Sequence, residues 1–150
     1  MHALKALILV CQLALINTVQ AGGTPDEHNI LEACSAYSQA GMKDCLAKKV
    51  RESEAKLKQT ADKASSLISK WDEDARYIAT AQEKIRLSDK AFAQYREAQC
   101  AFASALGGGA IGNALEMRRL VCVHELNTSR AAHFTNAVVN LPLRDKAPTP

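Results

Sequence analysis

From Met42 to Leu106 the chain contains neither glycine nor proline. Apolar residues recur through that span at helical steps. They run Leu46, Val50, Leu57, Ala61, Ala64, Ile68 and Trp71, then Ile78, Ile85, Phe92, Tyr95 and Phe102, with polar Gln99 at the same spacing. One straight helix of this length would approach ~100 Å, which a small domain has no means of burying. The helix must fold back on itself. The stretch "SKWDEDAR" is the place for the reversal, because Asp72 to Asp74 supply carboxylates that can cap a new helix.

The flanking segments extend the same reading. In "TPDE", Thr24 can cap a helix, Pro25 suits its first position and Glu27 completes a capping box. That first helix is expected to stop at Gly41. Beyond the glycines of "ALGGGAIGN", a further amphipathic pattern runs through Leu115, Leu120, Cys122, Leu126, Phe134, Val138 and Leu141. Asp44/Lys48, Glu52/Lys56 and Glu54/Lys58 are spaced as ion pairs on a wet helix face. No segment alternates as a half-buried strand does. The expected fold class is all-α, an antiparallel helical bundle or hairpin.

The chain opens "MHALKALILVCQLALINTVQA": one lysine, an apolar run from Ala6 to Ile16, and short residues at Val19 and Ala21. This reads as a signal peptide over residues 1–21, too short in its apolar run to span a bilayer comfortably. Cys11 follows Val10 rather than a small residue, so no lipid anchor is expected. A helical domain over 22–141 and a loose tail over 142–150 complete the division, the tail resting on its three prolines. The expected location is the periplasm or the exterior, with no stable membrane insertion after processing.

Removal of the signal leaves Cys34, Cys45, Cys100 and Cys122, an even number in an exported chain. Two disulfides are expected, with three possible connectivities. Cys34 and Cys45 lie eleven residues apart. In an unbroken helix that is ~16 Å, beyond the ~7 Å that a disulfide tolerates. Their pairing requires a turn between them, which Gly41 offers. Cys100 and Cys122 each stand eleven residues from Ile111, as facing positions in a hairpin do. Pairs 34–45 and 100–122 are preferred, and the crossed pairings remain open.

Several patterns invite chemistry. "GGGAIG" matches G-x-G-x-x-G letter for letter, but a dinucleotide loop needs a preceding strand and an acid about 20 residues on. Helical sequence precedes it, and Glu125 and Asp145 miss that position. It reads as a helix–helix turn. His124-Glu125 resembles a zinc-protease start whose second histidine is replaced by Thr128. Ser35, Ser38 and Ser129 lack any triad context, and Asn127-Thr128-Ser129 matches a glycosylation sequon only formally. Lys43, Lys48, Lys49, Arg51, Lys56, Lys58, Lys63 and Lys70 read as a solvated face. The formal charge is +3, or +2 without Lys5, and aromatics are few. That excludes a nucleic-acid partner driven by charge and stacking. No cofactor, metal site or catalytic residue set is expected, so the chain reads as a non-enzymatic protein.

"AFAQYREAQCAF", then "GGG", then "CVHELNTSRAAHF" resembles the LprI-type lysozyme-inhibitor domain of bacterial envelope proteins. The matching positions are Phe92, Tyr95, Arg96 and Cys100, then Gly107 to Gly109, then Cys122, Leu126, Asn127, Arg130 and Phe134. "AGMKDCLAKKV" is similar to the family's first-helix motif. Phe92 stands where the family often has Trp, and Asn127 where Thr is usual. The resemblance implies a disulfide-bonded helical protein that binds, and inhibits, lysozyme-like peptidoglycan hydrolases by occluding the cleft. Gly107, Gly108, Gly109 and Asn113 are then candidate binding residues, as are Arg96 and Arg130. Those arginines serve equally to pair across the bundle and set its register. The rival function is a helical carrier of a lipid or apolar ligand, which requires a continuous apolar cavity between helices.

Overall fold

The structure, a computed structural model, describes residues 25–144. Residues 1–24, which hold the expected signal peptide over 1–21 and the expected cap Thr24, and residues 145–150 lie outside the described residues. Four helices follow in order: α1 (Pro25–Cys34), α2 (Gln39–Ser69), α3 (Ala75–Ala105) and α4 (Ala114–Val138). The described residues contain no strand. The three long helices run down, up and down, so α2 and α4 are parallel and α3 is antiparallel to both.

The reversal falls where the acidic cluster puts it. α2 ends at Ser69, and the Asp74 carboxylate accepts the amide of Arg76 to start α3. The first turn falls elsewhere than expected. α1 stops at Cys34 rather than at Gly41, and α2 begins at Gln39. Ser38 is the reason. Its hydroxyl accepts the Gly41 amide, so Gly41 lies inside the first turn of α2.

Both preferred disulfides form. Cys34–Cys45 joins α1 to α2 with 5.8 Å between Cα atoms, and Cys100–Cys122 joins α3 to α4 with 5.5 Å. Each closes a loop whose chain-entropy contribution is about 3 kcal/mol. Around the first bridge, Ile30 and Cys34 of α1 pack with Leu46 of α2 and with Leu120 and Val121 of α4. α1 is thus a plug over the end of the bundle where α2 and α4 begin.

Along α2 the buried positions are Leu46, Ser53, Thr60 and Ala64. Leu46, Ser53 and Thr60 are one heptad apart, the spacing of a helix seam that faces a parallel neighbour. Two of the three are polar, and both hydroxyls donate to carbonyls of the preceding turn, Ser53 to Val50 and Thr60 to Lys56 and Leu57. The surface pairs on α2 are Lys48–Glu52, Lys49–Glu52 and Lys58–Asp62 instead of those expected. Exposed pairs of this kind contribute little.

Pro142 to Arg144, the described start of the segment expected to be a loose tail, pair with the α2–α3 turn. Leu143 bridges to Trp71, the Asp72 amide donates to the Pro142 carbonyl, and the Arg144 amide donates to the Lys70 carbonyl. The α2–α3 turn uses these groups to satisfy its own backbone. No helix among the described residues is long and apolar enough to cross a membrane.

Candidate functional site

The glycine-rich segment is the turn between α3 and α4. The α3 ladder ends in tighter bonds: the Gly107 amide donates to Ser104 and that of Gly108 to Ala105, at 2.9 and 3.0 Å. Each glycine then has its own reason. A Cβ at Gly107 would lie 2.4 Å from Leu115 Cδ2 and 3.1 Å from the Ser104 carbonyl. Gly108 and Gly112 adopt φ of +54° and +68°, the left-handed region that side chains resist. Gly109 faces open space. The Ser104 hydroxyl donates to the Leu115 carbonyl at 3.0 Å and ties the two helix ends together below the turn.

Asn113 occupies the N-cap position of α4, yet its side chain makes no capping bond. The first-turn amides of α4 therefore have no side-chain acceptor on the N-cap. Glu116 sits in that turn, where a negative charge is favoured by the helix dipole. It accepts two bonds from Arg119, and the guanidinium holds its carboxyl below the usual range. Leu106 and Ile111 project from the turn, Ile111 with 87% of its surface free. From Ala101 to Leu115 there is no charged residue. The turn is an uncharged, apolar tip at the α1-plugged end of the bundle, with Gly112 close to Gln39 at the start of α2.

Arg96 and Arg130 are placed apart from this tip. Both guanidiniums lie over the Phe92 ring, at 5.8 and 5.5 Å from its centroid. Arg130 also stacks on Phe134 at 4.2 Å and bonds to Ser88 and Asp89 of α3, at 2.6 and 3.2 Å. Arg96 donates to the Asn127 side-chain carbonyl at 2.6 Å, and the Asn127 amide donates to Ser53 Oγ at 3.1 Å. Arg96, Asn127 and Ser53 come from α3, α4 and α2. Asn127 is fully buried, so one polar chain crosses the bundle and links its three long helices. This places both arginines in cross-helix packing, Arg130 against a carboxylate and Arg96 against an amide.

Asn127 was not legible as a core residue, since its sequon spelling and polar type both point outward. The signal that could have found it is position: it is one heptad before Phe134 and one after Leu120. The histidines have ordinary roles. His124 Nδ1 lies 3.2 Å from the Lys49 carbonyl, and His133 is exposed. Among the described residues, no group of three metal-ligating side chains comes together.

The carrier reading asked for a continuous apolar cavity. An apolar concavity of about 300 Å³ lies at the opposite end, lined by residues such as Leu67, Val138 and Leu141. The Asn127 chain closes the bundle between it and the Leu46 cluster.

Comparison with curated proteins and with solved structures returns no match. A family model described as lysozyme inhibitor LprI matches residues 32–134, from within α1 to Phe134 of α4. That match covers more than half of the chain and includes all four bridged cysteines, the glycine turn and the Arg96–Asn127 pair. The chain belongs to the LprI lysozyme-inhibitor family.

Proposed function

We propose that this protein is exported to the bacterial periplasm or exterior and acts there without catalysis, inhibiting a lysozyme-like peptidoglycan hydrolase. The glycine-rich tip is the part we assign to the cleft. Family membership and the two disulfides fit an extracytoplasmic protein with a protein partner. The observation that carries the assignment is the tip itself: narrow, uncharged, and crowned by Ile111. Lysozymes work with two carboxylates in a cleft. The backbone amides at Gly109 and Ile111 donate to no carbonyl among the described residues. They suit acceptors in such a cleft, while Leu106 and Ile111 exclude water from it. No charge on the tip opposes the approach of a carboxylate pair.

The formal charge, +3 for the full chain and +2 without Lys5, selects among targets. A strongly basic hydrolase is repelled at long range, whereas a neutral or acidic one is not. The test is a peptidoglycan hydrolysis assay with pure, oxidised protein at stoichiometric concentration against a panel of hydrolases. The reading expects at least one neutral or acidic enzyme to be inhibited at a 1:1 endpoint, and Ile111→Glu to weaken that inhibition strongly. Full turnover by every enzyme in the panel would sink it.

A further inference from the structure

The concavity at the end of the bundle opposite the glycine turn has a defined chemistry. It lies between the C-terminal parts of α2 and α4, with Leu67, Val138, Leu141 and Leu143 in its walls, and holds about 300 Å³. Thr60 and Thr135 also line it, and neither has a hydroxyl hydrogen to offer a ligand. Thr60 Oγ1 donates to the Lys56 and Leu57 carbonyls, and Thr135 Oγ1 donates to the Ala131 carbonyl. A sugar or a peptide would leave its own polar groups unmatched against such walls. A hydrocarbon chain has none to match.

Among the described residues, the one charged side chain in the lining is Lys63. It is exposed, and it forms no ion pair within that set. Its neighbour Asp62 is taken by Lys58 at 2.8 Å. The residues three and four positions away on α2 are Gln59, Thr60, Ser66 and Leu67, none of them acidic. From Asn127 to Arg144 the chain has no acid at all. The acids of the α2–α3 turn are engaged, Asp72 with Arg144, Glu73 with the Asp74 amide and Asp74 with the Arg76 amide. Helix C-termini carry partial negative charge, but amides of Lys70, Trp71 and Leu141 bond the Leu67, Ile68 and Val138 carbonyls here. The charge left at the mouth is that of the Lys63 ammonium, and Lys56 and Lys70 stand one heptad to either side on nearly the same line of α2.

We propose that this cavity binds a single-chain amphiphile with an anionic head, a fatty carboxylate free in solution. Its chain lies among Leu67, Val138, Leu141 and Leu143, and its head meets the Lys63 ammonium at the mouth. The walls select the apolar chain, and the lone cation selects the sign of the head.

Volume sets the length of the chain. At about 30 Å³ for a group the size of one water, the cavity takes roughly ten heavy atoms, which is one chain of about ten carbons with its head outside. A lipid with two long chains is too large. The site also differs from the interior cavity that a carrier would need. The Asn127 chain closes the bundle, so the ligand stays at the surface. The cavity lies at the far end from the glycine turn, so it stands independently of the role proposed for that tip.

Calorimetric titration of the purified, oxidised protein tests this, with decanoate as the probe and decyltrimethylammonium as its cationic counterpart, both below micelle formation. One decanoate per chain is expected, with a Kd on the order of 100 µM. The cation should bind about fivefold more weakly. Leu143 lines the cavity and bridges to Trp71, so the tryptophan emission should shift over the same range of decanoate. Thr135→Glu puts a carboxylate into the wall at an exposed position, and should weaken decanoate at least about tenfold with an unchanged helical spectrum. Lys63→Glu should reverse the preference between the two probes. Absence of decanoate binding up to ~5 mM overturns the proposal. So does equal binding of the two probes by the wild type, since the head charge would then select nothing. Decanoate binding that Thr135→Glu leaves intact would place the ligand elsewhere on the chain and refute the site. Binding to phosphatidylglycerol vesicles without any response to decanoate would assign the lysines to a membrane surface, and refutes it equally.

Discussion

Replacing Asn127 with alanine is the sharpest test of how the bundle is held in register. The wild-type side chain is fully buried, accepts from the Arg96 guanidinium at 2.6 Å and donates to Ser53 at 3.1 Å. Alanine removes both bonds. It also strands one arm of a half-buried guanidinium, which costs more than the loss of a neutral bond. A bond to a charged group contributes roughly 1.5–3 kcal/mol and a neutral one about 1 kcal/mol, so a loss of about 2–4 kcal/mol is expected. For a domain of this size that lowers the melting temperature by roughly 10 °C. Threonine, which keeps a hydroxyl at the crossing, should lose about half as much. The assay is thermal and urea unfolding followed by far-UV circular dichroism with both disulfides intact. A double-mutant cycle with Arg96→Met should return a coupling of about 1–2 kcal/mol. If Asn127→Ala melts with the wild type, or if the two substitutions add without coupling, the polar chain does not hold the helices and the argument fails.

Other consequences are simpler to check. Gly107→Ala should destabilise clearly, because its Cβ meets Leu115 and the Ser104 carbonyl, whereas Gly109→Ala should be neutral within error. Gly108→Ala and Gly112→Ala fall between them, at about 1 kcal/mol for a left-handed backbone. Trp71 is the one tryptophan in the chain, and Leu143 bridges to it. Truncation after Asn140 should therefore shift its fluorescence to the red and leave far-UV helicity almost unchanged, and an unmoved spectrum would contradict the docking of that segment. Acid should weaken the fold slightly through Glu116. Its carboxyl is held below the ordinary 4.5, chiefly by the hydrogen bond from Arg119, so the native state binds fewer protons than the unfolded one. That contribution is complete above pH 4.5 and fades as pH falls through the lowered value. Glu116→Gln should lower stability slightly and evenly above pH 4.5 and remove this part of the acid-dependent loss below it.

The sequence carried the helices, the reversal at "SKWDEDAR" and the disulfide pairing for physical reasons. A span free of glycine and proline leaves few alternatives to helix, and the geometry of an S–S bond turns cysteine spacing into distance. Three features were less legible. Gly41 read as a stop, but the start of α2 is decided by the Ser38 hydroxyl, which takes the Gly41 amide. Tyr95 and Phe102 have core periodicity and are exposed, because α3 has two apolar arcs and periodicity does not say which one finds a neighbour. Asn127 gave no core signal of its own because its partners, Arg96 and Ser53, lie far away in sequence. Arg96 and Arg130 were read both as pairing residues and as binding residues. Their bonds place both in cross-helix packing.

Amide hydrogen exchange of the protein alone and in complex with a hydrolase that it inhibits tests the assignment of that turn most directly. Gly109 and Ile111 donate to no carbonyl within the described residues and lie on an exposed tip, so their amides should exchange fast in the free protein. Insertion into the cleft predicts strong slowing from Gly107 to Asn113 and little change along the lysine-rich face of α2. Protection on that α2 face, with the turn still exchanging freely in the inhibited complex, would contradict the claim that the glycine tip fills the cleft.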